Sequence, residues 1–199
     1  IFGNPDNHNM VPTILGTNRD EPALFMVRDP RWVETFLGIF PRLKDEAANK
    51  RAVAYGAASW KERGVDSLAD LMQQAGNTNV YAYRFDWDEL PSIMGYDLSV
   101  ALGAAHALEI AFAFGDFDGG MNLGYLYEDS PNKETLSRSM MGYWAELARA
   151  GDPNKGNGSD PRWLAWGVKG KTSLLLDTPP DGIRMMSEKV TLSGLTEQI

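Results

Sequence analysis

His106 and the acidic pair Asp20-Glu21 are the residues of this sequence best suited to hydrolytic chemistry. Ester hydrolysis through a serine needs a histidine that takes the hydroxyl proton, a carboxylate that orients the histidine, and backbone donors that bind the oxyanion. A histidine titrates near neutral pH, with an unperturbed pKa of about 6.5. Small residues flank His106 from Gly103 to Ala107, so backbone or substrate can approach its ring. The sequence therefore offers His106 as a base and one carboxylate of the pair, Glu21 or its rival Asp20, as the acid.

The nucleophile of such a site is missing from the sequence. No serine lies in the Gly-x-Ser-x-Gly setting of an exposed nucleophile, although Ser59 and Ser193 come nearest. The Gly119-Gly120 pair follows His106, which is the wrong side of the chain order for an oxyanion loop. The sequence starts without Met or a signal-peptide core and reads like the interior of a longer protein. We therefore expect the nucleophile and the oxyanion hole on an N-terminal chain or segment outside this sequence.

The composition excludes several other classes of function. The formal net charge of −8 and the isoelectric point of about 4.8 argue against binding to nucleic acid or to an anionic membrane. No apolar stretch approaches the roughly 20 residues that span a bilayer. The sequence has no cysteine, which excludes disulfides, thiol catalysis and cysteine-ligated zinc within it. No cofactor or metal is implied, and the compartment stays open.

Two apolar segments are typical of strands in a mostly parallel sheet. The run from Val11 to Leu15 is ended by Gly16 and a polar turn, and the segment from Val80 to Trp87 is aromatic and β-branched. The acidic pair follows the first run at its carboxyl end, where active sites of open α/β sheets are built. A shared sheet edge would therefore bring Glu21 and His106 together across their long separation in sequence.

Residues 30–76 are expected to form a helical excursion between strands. A second, amphipathic helix is predicted from Ser130 to Gly151, and a short strand from Ser173 to Asp177. Within this excursion, Trp32, Phe36 and Phe40 could line a ligand pocket or pack in the core. The residues at helical spacing in the excursion are Trp32, Phe36, Phe40, Val53, Ala57 and Trp60.

Two further carboxylates have alternative interpretations. Asp20 is the rival of Glu21 for the role of the acid, but we favour structural ion pairs or hydrogen bonds for Asp20 and Arg19. Glu109 lies three residues after His106 and could support the imidazole. We favour a purely structural hydrogen-bonding role for Glu109.

The sequence resembles the C-terminal part of a type-B carboxylesterase, the cholinesterase-like branch of the α/β-hydrolases. The segment Val11–Glu21 is similar to the acid-bearing segment of that family, and Gly103–Gly115 is similar to its catalytic histidine segment. Tyr143–Asn154 resembles the helix that follows, with its Gly-Asp-Pro-Asn ending. Trp163 and the later run Leu174–Asp177 resemble the closing segment. The order and the spacing of all four segments agree with the family.

This resemblance implies the fold, the roles and the partners of the chain. Residues 1–199 would form the C-terminal part of one α/β-hydrolase domain, with a mostly parallel central sheet flanked by helices that is incomplete without its N-terminal half. Glu21 and His106 would be the triad acid and base of a serine carboxylesterase that acts on small-molecule esters through an acyl-enzyme. The alternative is a cholinesterase-like binding or adhesion module without catalysis. Pro22 departs from the family, which usually has Gly there, so the local turn is in question.

Overall fold

The computed structural model describes residues 1–36, 40–118, 123–128, 130–156 and 158–187. Its strands are β1 (Thr13–Asn18), β2 (Val33–Phe36), β3 (Phe40–Leu43), β4 (Val80–Phe85), β5 (Ser92–Ile93), β6 (Tyr96–Asp97), β7 (Thr172–Leu176) and β8 (Arg184–Ser187). Its α-helices are α1 (Ala23–Met26), α2 (Glu46–Lys61), α3 (Ser67–Gln74), α4 (Leu98–Leu102), α5 (Glu109–Phe114) and α6 (Lys133–Ala150).

The main sheet is four-stranded and has the order β1-β4-β7-β8. Strands β1 and β4 pair in parallel from Thr13 opposite Val80 to Asn18 opposite Phe85, and β4 and β7 are also parallel. Strand β8 adds an antiparallel edge. The sheet is thus mostly parallel, as the α/β prediction requires, and all three predicted strands are present. Strand β8 was not predicted.

The helical prediction for residues 30–76 is wrong over its first third. Strands β2 and β3 form an antiparallel pair there, and helix begins only at Glu46, where the Asp45 carboxylate accepts a hydrogen bond from the Ala48 N–H. Aromatic residues at Trp32, Phe36 and Phe40 recur every four positions, and this spacing shares one face in a strand as well as in a helix. The spacing therefore could not distinguish the two structures.

Helices cover both faces of the main sheet because successive side chains of a strand point to opposite sides. In β4, Tyr81 and Phe85 join one buried cluster, while Val80 and Ala82 join another. The first cluster includes Phe112 of α5 and Met140 of α6. The second is completed by α3 and by the π-helical turn Glu62–Asp66 that precedes it. Trp163 closes the first cluster, and its indole N–H donates to the Ala82 carbonyl at 2.9 Å.

Helix α6 is the predicted amphipathic helix, and it begins at Lys133, three residues after the predicted start at Ser130. It ends at Gly151, which adopts the left-handed conformation at φ 71° and donates its N–H to the Leu147 carbonyl at 2.8 Å. Leu136, Met140 and Tyr143 are buried on its inner face. This helix packs against α5, the helix that follows the His106 loop, and so provides a firm base for that loop.

Candidate functional site

The side chains of Glu21 and His106 are in direct contact. Glu21 Oε2 lies 2.6 Å from His106 Nδ1. The other carboxylate oxygen, Oε1, accepts the Asn18 N–H at 2.8 Å and the Thr17 hydroxyl at 3.2 Å. Glu21 is only 4% exposed, so its charge is stabilised by these three donors rather than by water. An ionised carboxylate only accepts hydrogen bonds, which places the imidazole proton on Nδ1 and leaves Nε2 as an acceptor.

The turn after β1 positions Glu21. Asp20 accepts the Ala23 N–H at its carbonyl, and the chain enters the short helix α1 through Pro22 at φ −71°. This φ suits proline, which resolves the question raised by its departure from the family pattern. Gly56 of α2 packs on the Pro22 ring, since a Cβ at Gly56 would lie 2.7 Å from Pro22 Cγ. Helix α2 therefore packs directly against the turn that carries Glu21.

Asp20 is hydrogen-bonded to the backbone of the loop that carries His106 and not to the imidazole. Its N–H donates to the Ala104 carbonyl at 3.0 Å, and its Oδ2 accepts the Ala104 N–H at 3.0 Å. Gly103 makes this approach possible, because its φ is +52° and a Cβ would lie 2.3 Å from Asp20 Oδ2. Arg19 completes the arrangement by bridging Asp20 at 2.9 Å and Asp88 at 2.6 Å. The structure thus places Arg19 and Asp20 in the structural ion pairs that we favoured.

Asn18 is a positioning residue that the sequence analysis missed. Its side-chain amide donates to the Ala105 carbonyl at 2.7 Å and to Glu109 Oε2 at 2.5 Å, and the residue is buried. It therefore links the end of β1 to both sides of the histidine loop. Among the described residues, Glu109 accepts a hydrogen bond from the Asn18 amide and none from His106, in keeping with a structural role. The only sequence signal was the place of Asn18 between an apolar strand and an acidic pair.

The outer side of the imidazole is lined by two aromatic side chains. The ring centroid of His106 lies 5.6 Å from that of Phe25 and 5.4 Å from that of Trp60. Phe25 and Trp60 stack on each other at 6.4 Å with an interplanar angle of 19°. They are 55% and 41% exposed. The sequence analysis had offered Trp32, Phe36 and Phe40 as pocket candidates; the side chains of the last two lie outside the described residues.

No serine hydroxyl of the described residues is hydrogen-bonded to His106. Ser59 lies on α2 and lines a surface cavity, while Ser193 and the Gly119-Gly120 pair fall outside the described residues. The second histidine, His8, makes local contacts with the Asn4 carbonyl and the Phe2 ring. The described chain therefore brings a buried carboxylate and an imidazole into direct contact, and no serine hydroxyl of the described residues contacts that imidazole.

A cluster of carboxylates lies beyond the ends of β4 and β7. Asp86 is paired with Arg84 at 2.6 Å, and Glu89 accepts a hydrogen bond from the Thr178 hydroxyl. Burial raises the pKa of Asp177 to about 7, and the nearby carboxylates of Glu89, Asp86 and Asp88 reinforce the shift.

Within residues 1–187, apart from the undescribed gaps, no group of three or more acidic or histidine side chains is arranged to hold a metal ion. None of the described helices is long and apolar enough to cross a membrane.

A mostly parallel sheet with helices on both faces, carrying an acid and a histidine at its carboxyl edge, defines an α/β-hydrolase. The sequence profile of the Carboxylesterase family matches residues 41–192. The chain therefore belongs to the carboxylesterase family.

Individual relatives agree with this assignment. The chain is 28% identical to the para-nitrobenzyl esterase of Bacillus subtilis (strain 168) over 181 residues, which cover 84% of this chain and 34% of that protein. It is 31% identical to the acetylcholinesterase of Bungarus fasciatus over 104 residues, covering 52% of this chain and 16% of the relative. The chain thus spans about a third or less of the length of these relatives.

Solved structures show the same fold. A PNB esterase structure superposes with a TM-score of 0.62 at 23% sequence identity, covering 94% of this chain and 38% of the esterase. EstA of Aspergillus niger gives a TM-score of 0.60 at 18% identity, with the same two coverages. The chain is therefore folded like one part of a larger α/β-hydrolase, in agreement with the fold expected from the sequence.

Proposed function

We propose that this chain supplies the histidine and the acid of a serine carboxylic-ester hydrolase, with His106 as the base and Glu21 as its orienting carboxylate. The 2.6 Å contact between Glu21 Oε2 and His106 Nδ1 carries the proposal. The nucleophilic serine and the oxyanion hole are proposed to come from a segment of the protein outside this sequence. We call this chain together with that segment the complete protein.

The proposed reaction has two halves. The Nε2 of His106 takes the proton of the serine hydroxyl as the serine oxygen attacks the ester carbonyl, and the imidazolium is stabilised by the Glu21 carboxylate. The tetrahedral intermediate then breaks its bond to the alcohol oxygen, which receives the proton from Nε2, and an acyl-serine remains. Water, deprotonated by the same nitrogen, attacks the acyl-serine, and collapse releases the carboxylic acid and the protonated serine.

The setting of the two residues suits this cycle. Glu21 is buried and its second oxygen is held by two donors from β1, so the carboxylate cannot rotate away when the imidazole becomes charged. The imidazole side chain is 40% exposed, which leaves its outer nitrogen side open to a serine and a substrate. The substrate class is a small carboxylic ester, in keeping with the esterases among the relatives.

The test is hydrolysis of p-nitrophenyl acetate by the complete protein, with and without a fluorophosphonate that labels activated serines. We expect a serine outside this sequence to be labelled, and the label to abolish the activity. His106→Ala is expected to lower kcat by several orders of magnitude and to slow the labelling. His8→Ala is the matched control and should keep full activity, because the hydrogen bond of His8 to the Asn4 carbonyl and its ring contact with Phe2 both lie within the N-terminal segment.

A non-catalytic binding module is the alternative, and the same experiment distinguishes it. Such a protein would show no probe-sensitive serine, and His106→Ala would change neither the labelling nor the residual hydrolysis. Near-normal turnover of His106→Ala in an active protein would remove the proposed role of His106.

A further inference from the structure

A surface cavity of about 380 Å³ lies beside the aromatic pair that contacts His106. It is lined by Gly56, Ser59, Trp60, Arg63 and Gly64. Trp60 belongs to both features, since its ring also lies 5.4 Å from that of His106. The cavity and the imidazole therefore share Trp60 as a neighbour, although His106 itself does not line the cavity.

The cavity is built on an interruption of regular helix. Between α2 and α3 the chain forms a π-helical turn from Glu62 to Asp66, and such turns are frequent at functional sites. Lys61 braces the turn by pairing with Asp66 at 2.6 Å. The space beside Gly64 is uncrowded, because the nearest atom to a Cβ there would be Trp60 Cδ1 at 4.0 Å. An aromatic ring of a ligand can therefore rest against the free part of Trp60.

Arg63 gives the cavity its charge. Its side chain is exposed and pairs with no carboxylate of the described residues, unlike Arg19, Arg31, Arg84 and Arg149. A guanidinium presents a planar set of donors that matches a carboxylate. The chain as a whole carries a net charge of −8, which disfavours anions at a distance. Preference for an anionic ligand here would therefore have to come from Arg63 itself.

We infer that this cavity is a subsite for an aromatic ring that carries a carboxylate, as part of the ester substrate. Trp60 would take the ring by stacking and Arg63 would bind the carboxylate, with the ester bond directed towards His106. This inference deepens the proposed esterase function and rests on it. It assigns substrate specificity to Trp60 and Arg63, which lie outside the proposed triad, Arg63 being part of the π-helical turn.

Binding is tested first, without catalysis, by titrating the complete protein with benzoate and, separately, with benzyl alcohol. The indole N–H signal of Trp60 is followed by NMR and assigned from its loss in Trp60→Phe. We expect benzoate to shift this signal with about threefold to fivefold higher affinity than benzyl alcohol. Arg63→Gln should abolish that difference in affinity. Arg51→Gln should preserve it, because Arg51 is an exposed arginine of α2 that does not line the cavity. Equal binding of the two ligands, or an unchanged preference in Arg63→Gln, would overturn the subsite.

Kinetics then separate the subsite from the esterase proposal. The ratio of kcat/KM for 4-carboxybenzyl acetate to that for benzyl acetate should fall about threefold to fivefold in Arg63→Gln and stay constant in Arg51→Gln. A protein that hydrolyses both esters with the same ratio in all variants would keep the esterase and lose the subsite. A protein that binds benzoate through Arg63 but hydrolyses neither ester would keep the ligand site and lose the proposed function.

Discussion

The two sides of the His106 imidazole are built in opposite ways. On the Nδ1 side, Glu21 is buried and both of its oxygens are hydrogen-bonded, and Asp20 and Asn18 fasten the histidine loop to the end of β1. On the outer side, Phe25 and Trp60 are half exposed and offer ring faces. In the proposed esterase, the buried side would orient the imidazole, and the outer side would face the serine and the substrate.

Replacing the Glu21 carboxylate by an amide is expected to have the largest effect on the buried side of the imidazole. Glu21→Gln in the complete protein should lower kcat by about a hundredfold to ten-thousandfold, because an amide no longer fixes the tautomer or stabilises the imidazolium. Asp20→Asn is the matched control and should cost far less, since Asp20 contacts the loop backbone and Arg19 but not the imidazole. Steady-state kinetics on both variants decide the matter, and the reverse order of effects would make Asp20 the acid.

Gly103→Ala should disrupt the buried Nδ1 side of the imidazole through a steric clash. The added Cβ would lie 2.3 Å from Asp20 Oδ2 at a backbone φ of +52°, so we expect a loss of about 1–3 kcal/mol in the free energy of unfolding, together with lower kcat. Gly95→Ala serves as the comparison, because Gly95 has φ +80° and no atom within 4 Å of its Cβ position. Denaturant unfolding should show the smaller loss for Gly95→Ala. Equal losses would mean that the Asp20 contact is unimportant.

Asn18→Ala should weaken the same side by removing hydrogen bonds instead of by a steric clash. It leaves the Ala105 carbonyl and Glu109 Oε2 without their donor, at an expected cost of about 1–3 kcal/mol in unfolding free energy. A cycle with Glu109→Ala, alone and combined, isolates the Asn18–Glu109 hydrogen bond. We expect the double variant to lose less than the sum of the single losses. Strictly additive losses would show that the two side chains are not coupled.

Asp177→Asn is expected to leave the comparison of the two sides intact, because its effect is a pH dependence of stability. The folded state raises the Asp177 pKa to about 7, so the folded protein binds more protons than the unfolded chain between about pH 4 and pH 7, and this residue lowers stability as pH rises through that window. The stability of Asp177→Asn relative to the unsubstituted protein should therefore increase with pH.

Asp152→Asn provides the opposite sign for that measurement. Hydrogen bonds from the Asn154 backbone lower the Asp152 pKa, so this carboxylate contributes stability above its unfolded pKa that is lost as pH falls through its folded pKa. Removing it should cost more at pH 7 than at low pH. Thermal unfolding is measured from about pH 2 to pH 5 for Asp152→Asn and from about pH 4 to pH 8 for Asp177→Asn. Stability curves that stay parallel to that of the unsubstituted protein in these ranges would contradict the assigned shifts.

Local rules predicted much of the sheet and of the site. The apolar run before Gly16, the aromatic segment of β4 and the amphipathic face of α6 each follow from residue type and short-range spacing, and the structure confirms them. The same rules failed at β2 and β3, where a spacing of four suits either a strand or a helix. Nothing local to those residues decides between the two.

The sequence by itself determined the chemical groups, their chain order and the family to which the chain belongs. Only the tertiary structure decided that Glu21 and not Asp20 touches the imidazole, that Asn18 binds Glu109, and that Trp60 lies against the outer side of the ring. Each of these contacts joins segments that are distant in sequence. Their geometry depends on the parallel pairing of β1 with β4 and on the packing of α2 against the turn, which no local pattern encodes.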